Sequence, residues 1–198
     1  FELGVNENVV SQYIEKKFKN SEIFQGDLLQ LNFNNKKNYN FVTIDPNNLK
    51  LESGNFNLIY SNFFLHLTSN IEDNMTNIFN GLKSNGFFIA TVPGISNIYQ
   101  LINSMYETDI HFYNGAYNRY NPTFTVDGIM ALLKKNNFDS PSINSDNIKI
   151  EYSEFAKLIN DIREMKLSYC HNDKKQNFEN KNYFNKLAEI YKKKYYDD

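Results

Sequence analysis

Ser53-Gly54-Asn55-Phe56-Asn57-Leu58-Ile59-Tyr60-Ser61-Asn62-Phe63-Phe64-Leu65-His66 opens on a turn and runs into a short apolar strand with a polar tip. The Ser-Gly pair marks the entry, and the spacing predicts a strand over 55–62. Similar short strands stand on either side. Residues 1–4 read as the second half of one, 22–27 form another that ends on Asp27, and 41–44 form a third that runs into Asp45 and Pro46. Between them, Val9, Val10, Tyr13, Ile14 and Phe18 recur at helical spacing over 8–18. Met75, Ile78, Phe79 and Leu82 share one face of a helix predicted over 71–82. After Ser84-Asn85-Gly86 a strand follows at 87–92, closed by Pro93-Gly94. Apolar strands alternating with amphipathic helices predict an α/β fold, a mostly parallel sheet with helices on both faces.

The second half reads differently. Helices are predicted over 97–105 and 126–136, flanking a Tyr/Asn-rich loop, then a strand over 147–152 and helices over 154–165 and 182–195. No repeat or linker interrupts the chain, so residues 1–198 are expected to form a single domain. The 21 Lys and Arg against 23 Asp and Glu give a net charge of −2, which argues against a dedicated nucleic-acid binder. No apolar run approaches the ~20 residues of a membrane span. The single Cys170 excludes an internal disulfide and a Cys-rich metal site, and fits a reducing compartment. No metal site is expected. The Asn, Lys, Tyr and Ile bias reads as AT-rich coding, because hydrophobic periodicity runs through it.

In an open parallel sheet, ligands sit beyond the carboxyl ends of the strands, where the strand order reverses. The first three strand ends carry Glu2 with Gly4, then Asp27, then Asp45. A small first loop lets a ligand approach the backbone. An acid after the second strand can accept from two ribose hydroxyls, and one after the third from an adenine amine. Either Asp alone is as readily a turn or cap residue; the three in order carry more weight.

The 49–66 stretch resembles the "LPF-x-x-x-x-FD-hhh-S-x-x-x-LHW" segment of class I S-adenosylmethionine-dependent methyltransferases, and Leu82-Lys83-Ser84-Asn85-Gly86-Phe87-Phe88 their "L-K-P-x-G-x-h" entry to the fifth strand. Glu107, Asn114-Gly115-Ala116-Tyr117-Asn118-Arg119 with Pro122, Asp127-Gly128, Leu132-Leu133, Asn137-Phe138, and Asp161-Ile162-Arg163-Glu164-Met165 narrow the resemblance further. They are similar to the methyltransferase-like complex I assembly factors of mitochondria and to malonyl-carrier-protein methyltransferases. The resemblance implies a Rossmann-like class I methyltransferase sandwich, with a cofactor-binding half at 1–95 and a substrate-side or lid half with C-terminal helices at 96–198. It implies that the family's N-terminal helices and last, antiparallel strand lie outside this sequence. It implies S-adenosyl-L-methionine as cofactor, bound by Glu2, Gly4, Asn6, Asp27, Leu28, Asp45, Ser61 and Asn62.

Three departures stand out. Asn8 stands where the first loop, "D/E-x-G-x-x-x-G", has a later glycine, Glu7 adds a charge beside it, and Leu67 replaces the family Trp. Asn tolerates positive φ better than most residues, so the turn is expected to survive. Methyl transfer needs positioning more than a strong base. His66 is the candidate pocket-facing polar group, against the alternative of a buried loop cap. Arg119 is the candidate clamp for an anionic substrate, against a surface arginine. Tyr106, Tyr113, Tyr117 and Tyr120 read as packing aromatics in preference to a lid, and Lys192-Lys193-Lys194 as a solvated helix face.

Two readings follow. One is an enzyme methylating a carrier-bound acyl carboxylate or a protein partner. The other is a cofactor-poor assembly partner of the complex I type, a branch linked to arginine hydroxylation of a partner subunit. Neither involves nucleic acid or a membrane span. The expected compartment is the cytoplasm in a bacterium and the mitochondrial matrix in a eukaryote.

Overall fold

The computed structural model describes residues 1–5, 8–28, 39–171 and 178–196. Five strands, β1 (Glu2–Leu3), β2 (Phe24–Asp27), β3 (Asn40–Thr43), β4 (Phe56–Asn62) and β5 (Leu82–Thr91), form one sheet in the order β3-β2-β1-β4-β5. Every pairing is parallel. The order reverses between β1 and β4, so the carboxyl ends of those two strands open the crevice where an α/β sheet holds its ligand. Parallel neighbours need crossovers. Helix α1 (Val9–Lys17) joins β1 to β2, and α2 (Ile71–Gly81) joins β4 to β5.

Each face of the sheet receives a different chemistry. Leu3 and Ile59 are buried with Met75 and Ile78 of α2, together with Leu49, Phe64 and Leu65. Helix α2 starts well: the Asn70 side chain accepts from the Asp73 amide, and Glu72 and Asp73 sit in its first turn, where the helix dipole favours acids. The opposite face, under α1, is polar, because the register sets Glu2 against both Gln25 and Tyr60 and paired parallel residues point to one side.

Backbone proximity divides the chain into two compact units. The first comprises Phe1–Pro93 and Phe124–Asn144, and includes α4 (Val126–Lys135), capped by Thr125. The second comprises Gly94–Thr123 and Ser145–Asp198, with α3 (Tyr99–Tyr113), α5 (Phe155–Glu164) and α6 (Lys181–Tyr195). In the second unit Leu101, Leu158, Ile162, Tyr183 and Leu187 are buried.

The strand expected over 147–152 does not form. Ile148 and Ile150 alternate with charged residues as a strand would, yet they are 84% and 54% exposed. Alternation proposes a strand, and only a neighbouring ladder makes one; among the described residues no strand pairs with this segment. Helix α3 runs to Tyr113, past the expected end at 105, because no breaker occurs before Asn114, which takes φ 54 and closes the helix from its C-cap. Strand β5 starts at Leu82, ahead of the expected 87. Leu82 pairs with Phe56 and the ladder resumes only at Leu58 and Phe87, so residues 83–86 stand out as an irregularity around Asn85 at φ 62.

Two substitutions test this division. Ile78→Ala, in the α2 core, is expected to cost about 2–5 kcal/mol by denaturant unfolding. Ile148→Ser is expected to stay within about 0.5 kcal/mol of the parent; a core-sized loss there would mean that 147–152 is packed after all.

Candidate functional site

Glu2 lies in the central strand and is almost fully buried. A buried carboxylate must find donors. The Ser11 hydroxyl donates to its Oε2 at 2.5 Å and the Gln25 side-chain amide at 2.7 Å. Since the Ser11 proton is used in that bond, the Tyr60 hydroxyl is the donor in its 2.8 Å contact with Ser11 Oγ. Gln25 Nε2 also reaches Asn8 Oδ1 at 2.7 Å and Ser11 Oγ at 2.9 Å. Burial pushes the Glu2 carboxyl above the usual carboxylate range, with the bonds from Ser11 and Gln25 opposing it.

Beyond Glu2 the chain turns at Gly4, φ +82, where a side chain would meet Phe64 Cβ at 2.8 Å and the Asn62 carbonyl at 3.0 Å. The glycine is therefore what lets the tip of β1 run against the tip of β4. The Gly4 amide donates to the Gly26 carbonyl at 2.9 Å. Asn8 occupies the N-cap position of α1 at φ 58, ψ 15, left-handed, without a side-chain bond to the helix.

Asp27 ends β2 with its carboxylate turned toward that loop: Oδ2 accepts from the Val5 amide at 3.0 Å and Oδ1 from Leu28 at 2.7 Å. Leu28 is half exposed. Asp45 is exposed beyond β3, with Oδ1 accepting from the Asn47 amide at 2.8 Å in a tight turn. On β4, Ser61 is buried and its Oγ has no hydrogen-bond partner among the described residues, while Asn62 Oδ1 accepts from Thr91 Oγ1 at 2.7 Å. Phe63 follows in the left-handed region at φ 48, a strained choice for an aromatic residue directly at the reversal point. Asn6 and Glu7 lie outside the described residues. Glu2, Gly4, Asp27, Leu28, Asp45, Ser61 and Asn62 thus sit in or just after the first four strands of one unit.

The two candidate catalytic residues have other company. His66 lies in a 3-10 turn, Leu65–Leu67, fully buried and edge-on to Phe63 at 6.3 Å. Arg119 belongs to the second unit. Its guanidinium meets Asp109 at 2.5 Å and Glu179 at 2.7 Å and lies 4.6 Å from the centre of the Tyr183 ring. Asp109 is completely buried and also accepts from the Tyr117 amide and the Tyr183 hydroxyl. Burial works against the Arg119 charge, and the bonds to Asp109 and Glu179 outweigh it, so its pKa lies above the ordinary arginine value. The anion-clamp role expected for Arg119 thus has two carboxylates of its own chain as competitors. The tyrosines pack: Tyr106 and Tyr120 share a 3.0 Å hydroxyl contact, and Tyr113 stacks on Tyr183.

Residues 2–90 match the family model described as a methyltransferase domain. That stretch, just under half of the chain, is similar to a methyltransferase domain. Human arginine-hydroxylase NDUFAF5, a mitochondrial protein, is 24% identical over 173 residues, 85% of this chain and 50% of that protein. Its Dictyostelium discoideum counterpart is 27% identical over 145 residues, covering 73% and 33%. The chain therefore spans about half the length of these curated relatives, or less. The solved phosphoethanolamine N-methyltransferase 2 of Haemonchus contortus, in complex with phosphomonomethylethanolamine and S-adenosylhomocysteine, shares the fold at TM-score 0.51 and 14% identity, over 70% of this chain and 33% of that one. Among the described residues no group of three or more His, Cys, Asp or Glu is placed to hold a metal ion, and no helix is long and apolar enough to cross a membrane.

Sequence reasoning missed the partners of the site. Ser11, Gln25 and Tyr60 carry no motif, although equal offsets within the parallel strands would have aligned Glu2, Gln25 and Tyr60 in one row. Asp109 from α3, and Glu179 with Tyr183 from the entry to α6, come together around Arg119, which no spacing reveals.

Two outcomes follow. Because the folded Glu2 holds its proton more tightly than the unfolded one, its contribution to stability is fully present below the ordinary carboxylate range and is lost as pH rises through the raised folded value. The thermal-midpoint difference between Glu2→Gln and the parent should therefore shift in favour of the variant across that window and then level off. In the second unit, Arg119→Met strands a buried Asp109 and should cost about 3–5 kcal/mol in denaturant unfolding; a loss under about 1 kcal/mol would mark the cluster as solvated.

Proposed function

We propose that the chain binds S-adenosyl-L-methionine at the carboxyl ends of β1 to β4 and transfers its methyl group. The observation that carries this is the set of acids at adjacent parallel strand tips, Asp27 and Asp45, beside a β1 tip that Gly4 alone permits. The residues fit the group. Asp27 is held at the β2 tip by two backbone amides and would accept from the ribose hydroxyls. Asp45 presents an exposed carboxylate for an amine donor, and Ser61 Oγ is a buried polar atom awaiting one. When bound, the cofactor supplies an already activated methyl on its sulfonium. The chain's task is to hold the acceptor in line with it and to keep water out, which rigid strand tips do well.

The acceptor is a carbon, nitrogen or oxygen nucleophile of a protein partner or a carrier-bound acyl carboxylate. The relatives named arginine-hydroxylase NDUFAF5 favour a protein partner. The same similarity supports a second reading, in which the domain serves as an assembly partner of the complex I type without turning the cofactor over.

Titration calorimetry with S-adenosylhomocysteine tests the first reading. The parent should release heat, and Asp45→Ala should weaken binding by about 1–3 kcal/mol while leaving the thermal midpoint nearly unchanged. Asp27→Ala should lower both affinity and stability, since Asp27 also holds two backbone amides. No heat at high micromolar ligand would leave the assembly reading.

A further inference from the structure

The first loop carries an asparagine where the resembling pattern has glycine, and the structure shows how that is tolerated. Asn8 stands at φ 58, ψ 15, and its side chain does not cap α1. It turns inward instead, 5% exposed, so that Oδ1 accepts from Gln25 Nε2 at 2.7 Å. Gln25 is itself buried, and its amide is shared among Asn8, Glu2 and Ser11. A left-handed residue with a β-carbon is strained, a cost that Asn relieves when its short side chain finds a local bond. Here the bond comes from the neighbouring strand.

We infer that Gln25 is a positioning residue for the cofactor loop: it latches Asn8 in the left-handed conformation and thereby does for this chain what a second loop glycine would do. The inference rests on the cofactor reading above for its consequence, and on geometry alone for the latch. One side-chain amide ties the β1 carboxylate, the start of α1 and β2 into a single arrangement. The loop leaves that arrangement at Gly4 and returns to it at Asn8. Loss of the latch frees Asn8 to leave the left-handed region and changes how the chain enters α1. Glycine at position 8 needs no latch, because it reaches the same backbone angles unaided.

A double-mutant cycle on Gln25→Met and Asn8→Gly tests this, read by S-adenosylhomocysteine calorimetry and by thermal unfolding of the same four proteins. Gln25→Met is expected to weaken binding about tenfold, the effect of a ~1.4 kcal/mol loss. Asn8→Gly alone should bind within about threefold of the parent, and the double variant should recover most of the loss. Rescue is the decisive outcome, since a merely structural Gln25 would leave the double variant as weak as Gln25→Met. Equal weakness of those two proteins, or unchanged affinity in Gln25→Met, overturns the inference. A parent that binds no ligand removes the cofactor reading but not the latch. In that case the thermal midpoints decide: a midpoint loss in Gln25→Met that Asn8→Gly offsets supports the latch, and independent losses overturn it.

Discussion

A carboxylate in the middle of a parallel sheet has to be met by donors or expelled, and Glu2 is met. Its oxygen receives Ser11 from the first helix and Gln25 from the second strand, and Tyr60 from the fourth strand reaches it through Ser11. Those bonds are directional, so they do more than neutralise the cost of burial: they set the helix against the sheet and fix the row in which three strands align. Hydrophobic packing on the opposite face, around Ile59, Met75 and Ile78, supplies driving force without that direction. Glu2 stands between β2 and β4, so the buried polar cluster ties together the three strands whose tips border the crevice.

The second unit answers the same requirement with opposite charge. Arg119 and the buried Asp109 form a pair whose remaining valences are taken by Glu179, Tyr183 and the Tyr117 amide. Such pairs are costly when half-satisfied and specific when complete. This one is complete on the carboxylate side, where Asp109 joins α3 to the loop after it and to α6. Its wealth of tyrosine follows from the same logic, since a tyrosine offers an apolar body for packing and a hydroxyl for the buried acid.

Much of this was legible in the chain. The strand ends, the order of acids and the turn at Gly4 depend on local residue types, and local types are what a sequence displays. Asn8 was legible as well, because left-handed tolerance is a property of asparagine itself. What was not legible shares one cause. Residues 147–152 have the alternation of a strand, but a strand is defined by its neighbour, and none of the described strands pairs with it. Arg119 read as evenly an anion clamp or a surface arginine, because Asp109 and Glu179 lie 10 and 60 residues away. His66 follows a strand tip, where polar residues often face a ligand, yet the 3-10 turn buries it against Phe63.

Phe63 and Asn8 complete the argument about the crevice. Both hold left-handed backbone without being glycine, and they flank the reversal from opposite sides, one after β4 and one before α1. Left-handed backbone in such residues persists only where surrounding bonds over-determine it. Asn8 has Gln25, and the Phe63 amide is held by the Thr91 carbonyl at 3.2 Å and by Thr91 Oγ1 at 3.3 Å. Each tip is thus pinned from the next strand over, Asn8 from β2 and Phe63 from β5. A site whose chemistry is positioning gains from tips that cannot relax. The strain is stored on either side of the reversal, and it is held there by hydrogen bonds from the flanking strands β2 and β5.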